Sequence, residues 1–365
     1  MTIPLDRITG TPCALGRCPP TRWALASLSL SMLMPSLDTS IANVGLPTLV
    51  EAFGASFQEI QWVVLAYLLA TTTLVVGAGR LGDVLGRRRL LLVGIGLFTA
   101  ASLACGLAPT LPVLVLARGA QGVGAAVMLP LTIALVGETV PAGRTGSAMG
   151  LLGTMSAVGT TLGPSLGGML IALSGWRMIF VVNVPLGLVN LLLAVWTLPA
   201  DRSARRTDGA SFDGAGTLLL GAALGAYALA VTTGHGTFGP VNGALLLAAA
   251  AALGLFVVVE ARVGSPLLRP EALGDRTLTT GLGMTAIVST VMMATLVVGP
   301  FYLSRGLGLD AAHVGLVMSV GPAVAALTGV PAGRIVDRLG GARMTTLGLL
   351  GMVAGLLALS VAPAR

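Results

Sequence analysis

A single carboxylate, Asp38, lies inside a long apolar stretch of the chain, in the segment LDTSIANVGLP at 37–47. An ionised side chain is costly within a bilayer, so an acid in a membrane-crossing stretch is a functional candidate by default. Asp38 could bind a proton and release it as its exposure switches between the two sides of the membrane. The alternative is that Asp38 lies near an interface and caps a helix break around Pro35.

A single basic residue, Arg118, lies in a comparable stretch, LVLARGAQGVGAAVMLP at 114–130. Its charge must face a cavity or a partner, because lipid would penalise it. Gln121 lies three residues further on the same helical face, so it could share a network with Arg118. Arg118 could hold Asp38 deprotonated, or it could be a fixed hydrogen-bond donor to backbone carbonyl groups.

A third segment, GTMSAVGTTLGPSLGGML at 153–170, carries glycines at intervals of four residues. Such a face lets two helices pack closely, and a proline within it is expected to kink the helix. The segment could act as a seal or pivot as one helix moves against another, or it could provide static packing alone. Its candidate residues are Gly159, Gly163, Pro164, Gly167 and Gly168.

An arginine-rich segment, GRLGDVLGRRR at 79–89, returns as GRIVDRLGGAR at 333–343. Each copy follows an apolar run, so we expect both in cytoplasmic loops, where the glycines allow a tight turn. Asp83 is expected near a helix N-terminus, and its pairing with an arginine across the interface between two halves would latch one conformation. A purely topological role for the charges is the alternative. The latch candidates are Gly79, Asp83, Gly86, Arg87, Arg88, Asp337 and Arg338.

The composition explains what must position these residues. Hydrophobic residues make up 55% of the 365 residues and charged residues 10%, whereas soluble domains carry about 25% charged residues. The net charge of +7 comes from short arginine clusters between apolar runs, which is typical of cytoplasmic loops. The composition therefore excludes a soluble enzyme and predicts the lipid bilayer, and no nucleic acid, as a partner.

The apolar runs predict an all-α integral membrane protein with eleven spans, since about 20 apolar residues cross a bilayer. The arginine asymmetry between alternate loops places the N-terminus in the cytoplasm. No phosphate-binding loop, G-x-S-x-G or H-E-x-x-H pattern is present, so we expect neither ATP hydrolysis nor an enzyme. The predicted spans are 23–50, 60–80, 90–108, 112–136, 146–173, 178–198, 213–233, 241–261, 278–303, 312–333 and 343–362.

The repeated segment divides the chain into two halves, as in many transporters. Its second copy follows span ten rather than span eight, so two extra spans separate the halves. The predicted domains are a cytoplasmic tail at 1–22, a six-helix half at 23–198, a charged linker with two extra helices at 199–265, and an incomplete second half with three helices at 266–365.

Together these segments resemble the 14-helix drug:proton antiporter branch of the major facilitator superfamily. GRLGDVLGRRR resembles its signature loop, LDTSIANVGLP its first-helix motif, LARGAQGVGAA its fourth-helix motif, GTTLGPSLGG its antiporter motif, and WRMIFVVNVPLG at 176–187 the segment entering helix six. The family pattern has three further spans after 343–362, so we expect this chain to be a fragment or a truncated reading frame.

The resemblance implies proton-coupled efflux of drugs, antibiotics or other lipophilic or cationic molecules by alternating access. Asp38, Arg118 and Gln121 become the residues for proton coupling and substrate. The proton gradient would supply the energy, with no cofactor and no metal, and a monomer in the plasma membrane is expected. The alternatives are a dedicated metabolite exporter of the same superfamily and a non-transporting membrane fragment.

Overall fold

The structure, a computed structural model, describes residues 21–141, 145–201, 214–233, 239–260, 262, 276–339 and 341–361. Helices account for nearly all of these residues, and a five-residue π-helical turn at Tyr302–Gly306 extends α10. The helices are α1 (Thr21–Phe53), α2 (Phe57–Leu85), α3 (Arg87–Leu107), α4 (Leu111–Thr139), α5 (Thr145–Ser174), α6 (Met178–Val181), α7 (Asn183–Thr197), α8 (Gly214–Thr232), α9 (Pro240–Glu260), α10 (Arg276–Phe301), α11 (Ala311–Leu339) and α12 (Gly341–Val361).

The helices match the eleven predicted spans, which confirms the predicted fold class. Helices α6 and α7 are separated only by Val182 and run as one span, Met178–Thr197. Within the described residues, eight helices are both long and apolar enough to cross a membrane. Leucines and tryptophans on their outer faces, such as Leu116 and Trp196, are more than 70% exposed, which suits contact with lipid.

Local sequence signals explain where the helices begin and end. Ser56 accepts a hydrogen bond from the backbone N–H of Glu59, and the Glu59 side chain accepts one from the Ser56 N–H. This reciprocal capping box fixes the start of α2. At the other end of α2, Gly86 has φ +100°, which only glycine adopts without strain, and α3 begins at the next residue.

The predicted loop at 79–89 is wrong in its extent. Gly79 and Gly82 lie within α2 rather than in a turn, and Gly86 alone separates α2 from α3. The reason is packing, since a Cβ at Gly82 would overlap the side chain of Leu131 on α4. The glycine at this position therefore brings two helices together. In the second copy, 333–339 are likewise the last turns of α11.

The apolar core lies within the first six spans. Helix α1 packs against α5, α4 and α7, while α4 packs against both α2 and α3. One cluster of buried residues surrounds Phe98, Met128 and Leu131, and a second surrounds Ile41, Leu114 and Phe180. Helix α1 is therefore enclosed by its neighbours, and polar residues on it are shielded from solvent.

The two extra helices form a hairpin that packs on α2. The Asn242 amide closes the hairpin, because its Nδ2 donates to the carbonyl oxygens of Ala230 and Thr233 at 2.7 Å each. The linker at 202–213 and most of 261–275 lie outside the described residues. The domain boundaries given above therefore stay predictions.

Small residues bring α5 close to two other helices. A Cβ at Gly159 would lie 2.8 Å from the Leu33 carbonyl oxygen on α1, and one at Gly163 would overlap Ser40. Gly168 meets the backbone of Ala311 on α11, where a Cβ would overlap the carbonyl oxygen. Residues 159–168 thus join α5 to both α1 and α11.

The Gly168 contact gives a prediction about stability. Gly168→Ala places a methyl group against backbone that cannot move aside alone, and overpacking of this kind costs about 1–3 kcal/mol. Gly153→Ala is the matched control in the same helix, because nothing lies within 4 Å of its added Cβ; it should stabilise the helix by about 0.5–1 kcal/mol. Thermal unfolding in detergent measures the stability of both variants. Unfolding is detected by the reaction of a dye with the buried Cys105, in a background that carries Cys13→Ser and Cys18→Ser. Equal melting temperatures for the two variants would contradict the α5–α11 contact.

Candidate functional site

The Asp38 carboxylate is the centre of a buried polar network. It lies near the midpoint of α1 with 1% of its surface exposed. Its Oδ2 accepts from Arg118 Nη1 at 2.5 Å, and its Oδ1 accepts from Gln121 Nε2 at 2.8 Å and Asn183 Nδ2 at 2.7 Å. Three donors and no acceptor face this group among the described residues, which matches the acceptor-only character of a carboxylate.

Arg118 compensates the charge of Asp38 and is itself fully buried. Its Nε donates to the Val63 carbonyl oxygen at 2.9 Å, and its Nη1 donates to Gln121 Oε1 at 2.7 Å. The guanidinium lies 4.5 Å from the centroid of the Tyr67 ring and 5.7 Å from that of Phe180. Arg118 is thus both the partner of Asp38 and a donor to a backbone carbonyl group, so the two arrangements left open by the sequence occur together.

Gln121 is fixed at both ends of its amide group. Its Nε2 donates to Asp38 Oδ1 and to Ser102 Oγ, each at 2.8 Å, while its Oε1 accepts from Arg118. The Cys105 thiol also lies 3.7 Å from Oε1. Side chains from α1, α3, α4 and α7, with a carbonyl group and a ring from α2, therefore meet at one point.

A second buried polar cluster joins α1 to α7 closer to the α1 N-terminus. Asn190 Oδ1 accepts from Ser27 Oγ at 2.9 Å, and its Nδ2 donates to Ser31 Oγ at 2.8 Å. All three side chains are fully buried. Because α1 and α7 are held together here without a charge, this cluster positions the helices that carry Asp38 and Asn183.

The arginine-rich segment forms a third polar group at the Gly86 end of the helices. Arg87 pairs with Asp83 at 2.7 Å and with Glu138 of α4 at 2.8 Å. Both partners belong to the first half of the chain, so Asp83 pairs here within one half, whereas the expected latch pairs it across the two halves. Asp83 lies in the last turns of α2 rather than at a helix N-terminus, because α2 continues past Gly82.

The acid at the N-terminus of α3 is Asp201. Its Oδ1 accepts from the Arg88 backbone N–H at 2.8 Å and its Oδ2 from that of Arg89 at 3.1 Å. Arg88 Nη2 also donates to the Val195 carbonyl oxygen at 2.5 Å. Asp201 therefore satisfies donors that a helix start leaves unpaired, and it ties the end of α7 to the start of α3.

The second copy of the segment cannot be compared side chain by side chain. Asp337 and Arg338 have helical backbone in α11, but their side chains lie outside the described residues. Their proposed part in a latch therefore stays a prediction.

The opposite ends of the helices are closed by apolar contacts. The rings of Phe57 on α2 and Phe301 on α10 pack edge to face, with centroids 4.7 Å apart. A Cβ at Gly315 on α11 would overlap the Pro164 carbonyl oxygen on α5. Nearby, Asp310 accepts from the His313 backbone N–H at 2.8 Å, and this hydrogen bond lowers the pKa of the Asp310 carboxyl. His313 lies in the first turn of α11 and is exposed.

Sequence reasoning missed several members of these networks. Asn183 lies in the WRMIFVVNVPLG segment, whose pattern was recognised without a role for the amide. Ser102, Tyr67 and Glu138 carry no signal of their own, because single polar residues are common in apolar helices. Asp201 follows a proline in the charged linker, and only its contact with α3 reveals its function.

Comparisons with known proteins extend this description. The chain has the fold of solved membrane transporters: a peptide transporter POT in complex with sulfate (TM-score 0.63, 16% identity, 87% of this chain and 68% of that one) and the xylose transporter XylE from E. coli (TM-score 0.55, 17% identity, 87% and 69%). These likenesses define the class as a multi-pass helical membrane protein with a transporter fold.

Sequence relatives identify the family. The model of the Major Facilitator Superfamily matches residues 28–365. Multidrug resistance protein Stp of Mycobacterium tuberculosis H37Rv is 34% identical over 340 residues, covering 92% of this chain and 62% of Stp. The putative multidrug resistance protein MdtD of Escherichia coli UTI89 is 33% identical over 338 residues, covering 90% of this chain and 70% of MdtD. The chain belongs to the Major Facilitator Superfamily, and it spans about 62% of the length of Stp.

The buried ion pair predicts strong coupling between two substitutions. Asp38→Asn or Arg118→Gln alone leaves one buried charge unpaired, which costs about 3–5 kcal/mol. The double variant removes both charges, so its cost should be smaller than the sum by about 2 kcal/mol or more. Thermal unfolding of the four proteins measures the cycle. Asp83→Asn, which breaks a half-exposed pair, is the control and should cost less than about 1 kcal/mol; additive effects at Asp38 and Arg118 would show that the pair does not exist.

The Asp201 contact predicts a local effect at the start of α3. Asp201→Ala removes acceptors from two backbone N–H groups, and losing such a cap costs about 0.5–2 kcal/mol. Hydrogen exchange at the amides of Arg88 and Arg89 should accelerate. Arg89→Gln keeps both N–H groups and removes only the exposed ion pair at 3.9 Å, so exchange at Arg88 should be unchanged. Unaltered exchange in Asp201→Ala would refute the cap.

Proposed function

We propose that this protein exports lipophilic or cationic small molecules across the plasma membrane in exchange for protons, by alternating access. The observation that carries the proposal is the fully buried Asp38–Arg118 pair at the midpoint of α1, which amide side chains and a backbone carbonyl group surround. A buried charge pair is costly to maintain and is poor support for stability alone. A charge network of this kind suits a group that must change its protonation state.

Protonation of Asp38 would couple to the arrangement of the helices. The neutral acid no longer compensates the charge of Arg118, which then lies unpaired in an apolar interior. Arg118 would gain by moving toward water or toward a new anion, and its partners lie on α1, α2 and α4. Binding of a proton therefore favours a different packing of the same helices, which is what coupled transport requires.

Apolar contacts close one end of the helices, which supports a conformation that is open toward the opposite side of the membrane. Phe57 meets Phe301, and glycines seal α5 against α11 at that end. The arginine clusters, including Arg87, Arg88 and Arg89, lie at the opposite end. Since positively charged loops face the cytoplasm, the Gly86 end would be cytoplasmic, and the state described would be closed toward the outside.

The substrate class rests on similarity and on side-chain chemistry. Two relatives are named multidrug resistance proteins. On α10, Met284 lines a groove of about 380 Å³ beside α12, together with Met352, Val288 and Leu349. Methionine adapts its shape to varied apolar partners, which suits substrates of several shapes. The proton gradient would drive the exchange, and the protein would act as a monomer without a bound cofactor.

Ethidium efflux tests the proposal. Energised cells carrying the wild type should extrude ethidium faster than cells with empty vector, and dissipating the proton gradient should abolish the difference. Asp38→Asn cannot carry a proton and should therefore reduce gradient-driven efflux to the level of cells with empty vector. Asp310→Asn, which changes an acid outside these networks, should retain efflux.

Three outcomes would contradict the proposal. Efflux that survives loss of the gradient would exclude proton coupling, and full activity of Asp38→Asn would exclude this carboxylate. No efflux of ethidium from cells whose membranes contain the protein, together with none of a panel of cationic dyes, would favour a dedicated metabolite exporter or a chain that does not transport by itself.

A further inference from the structure

We propose that Asn183 is a positioning residue whose side-chain amide rotates when Asp38 gains or loses a proton, so that the hydrogen bond between the two side chains reverses direction. In the ionised state Asn183 donates from Nδ2 to Asp38 Oδ1, and in the neutral state its Oδ1 would accept the proton that Asp38 then donates. This inference rests on the proposed proton coupling through Asp38.

The observation is an unused acceptor beside the titrating group. Asn183 is fully buried, and its Nδ2 lies 2.7 Å from Asp38 Oδ1. Among the described residues, its Oδ1 is buried and has no hydrogen-bond partner. Leaving a buried acceptor unpaired costs about 1–3 kcal/mol, so this atom would gain by accepting a hydrogen bond in another state of the site.

The orientation of the amide follows from charge. An ionised carboxylate has acceptors only, so a neighbouring amide must turn its NH₂ group toward it. A protonated carboxyl group has one O–H donor, and a donor needs an acceptor when it is buried. A half-turn of the Asn183 side chain about its Cβ–Cγ bond replaces the NH₂ donor that faces Asp38 with the Oδ1 acceptor.

The other two partners of Asp38 cannot supply that acceptor. Arg118 has donors only. Gln121 uses its Oε1 for Arg118 Nη1 at 2.7 Å and for the Cys105 thiol, and its Nε2 for Ser102 Oγ as well as for Asp38, so rotating its amide would break four hydrogen bonds. Rotation of Asn183 breaks one, its bond to Asp38.

The groups that face Asp38 set the direction of the change. Arg118 on α4 favours the ionised carboxylate, and Tyr67 on α2 and Cys105 on α3 are the other titratable side chains of the network. No residue of α7 in contact with Asp38 carries a charge among those described. Asn183, on α7, can therefore respond to protonation of Asp38 without adding a negative charge that would retain the proton.

The proton balance of the step is simple. A proton from water binds Asp38 Oδ1, which converts the carboxylate to a carboxylic acid, and the bond from Asn183 Nδ2 breaks. After rotation, the new O–H donates to Asn183 Oδ1, while Gln121 still donates to Asp38 Oδ1 and Arg118 to Oδ2. Release of the proton to water on the other side reverses each change.

Infrared difference spectroscopy of the purified full chain in lipid, between high and low pH, tests the inference without requiring transport. Asp38 is identified by a carboxylic-acid carbonyl band that is absent in Asp38→Asn. Asparagine labelled with ¹³C in its side-chain amide reports on four residues, Asn43, Asn183, Asn190 and Asn242. We expect a labelled amide band that changes with the same pH midpoint as the acid band.

Single substitutions assign that amide band. It should disappear in Asn183→Ala, and the acid band should move to higher frequency because Asp38 loses its acceptor. Both bands should persist in Asn242→Ala, the control, which removes a buried amide of α9 outside the Asp38 network. If Asn183→Ala does not fold, Asn183→Ser provides the test. Its hydroxyl group can donate or accept, so the acid band should stay near its wild-type frequency while the labelled amide band disappears.

The outcomes separate the inference from the function on which it rests. An acid band of Asp38 with no accompanying asparagine band, or an asparagine band that survives in Asn183→Ala, overturns the role of Asn183 and leaves proton coupling intact. Absence of any Asp38-dependent acid band at every pH at which the protein stays folded overturns both.

Discussion

The rest of the structure depends on enclosing two opposite charges, those of Asp38 and Arg118, where lipid and apolar side chains surround them. Such a pair is tolerated when hydrogen bonds and close packing offset much of its desolvation. The fourth helix contributes glycines to this packing as well as its charge. A Cβ at Gly124 would lie 2.7 Å from the Phe98 backbone nitrogen, and one at Gly122 would lie 2.5 Å from the Tyr67 carbonyl oxygen. Because those helices approach so closely, α2 and α3 bring their own polar groups to Arg118 and Gln121.

The sequence predicted the spans well because a membrane makes their signal simple. Long apolar runs are rare in other contexts, and the structure places helices over all eleven. Asp38 and Arg118 stood out for the same reason, since a charge in such a run is conspicuous. Asn183 and Ser102 did not, because an uncharged polar side chain costs little there and occurs for many reasons. Their importance follows from distance to Asp38, which no spacing along the chain encodes.

Glycine patterns predict local structure less reliably than charged residues do. The glycines at 79–86 predicted a turn, yet Gly79 and Gly82 lie within α2 and only Gly86 has a positive φ. Glycine serves both turns and close helix packing, and sequence alone does not distinguish these two uses. The sequence likewise does not distinguish which acidic residue lies at the N-terminus of a helix. Asp83 was expected at a helix start, but Asp201, more than one hundred residues further along the chain, lies there instead.

The distribution of polar contacts indicates how the molecule would move. The Asp38 network joins α1–α4 and α7. At a second level of the same bundle, the Arg87 contacts join α2, α3 and α4, and Asp201 joins the segment after α7 to α3. Interlocked polar contacts of this kind resist internal rearrangement, so the first six spans should respond largely as one body. Their described contacts with α10 and α11 are different in kind: ring against ring at Phe57 and glycine against backbone at Gly168 and Gly315. Contacts that lack a shared hydrogen bond can be exchanged for lipid without leaving a polar group unpaired. A change of charge at Asp38 would therefore be relieved at this interface before it disrupted the bundle that holds the charge.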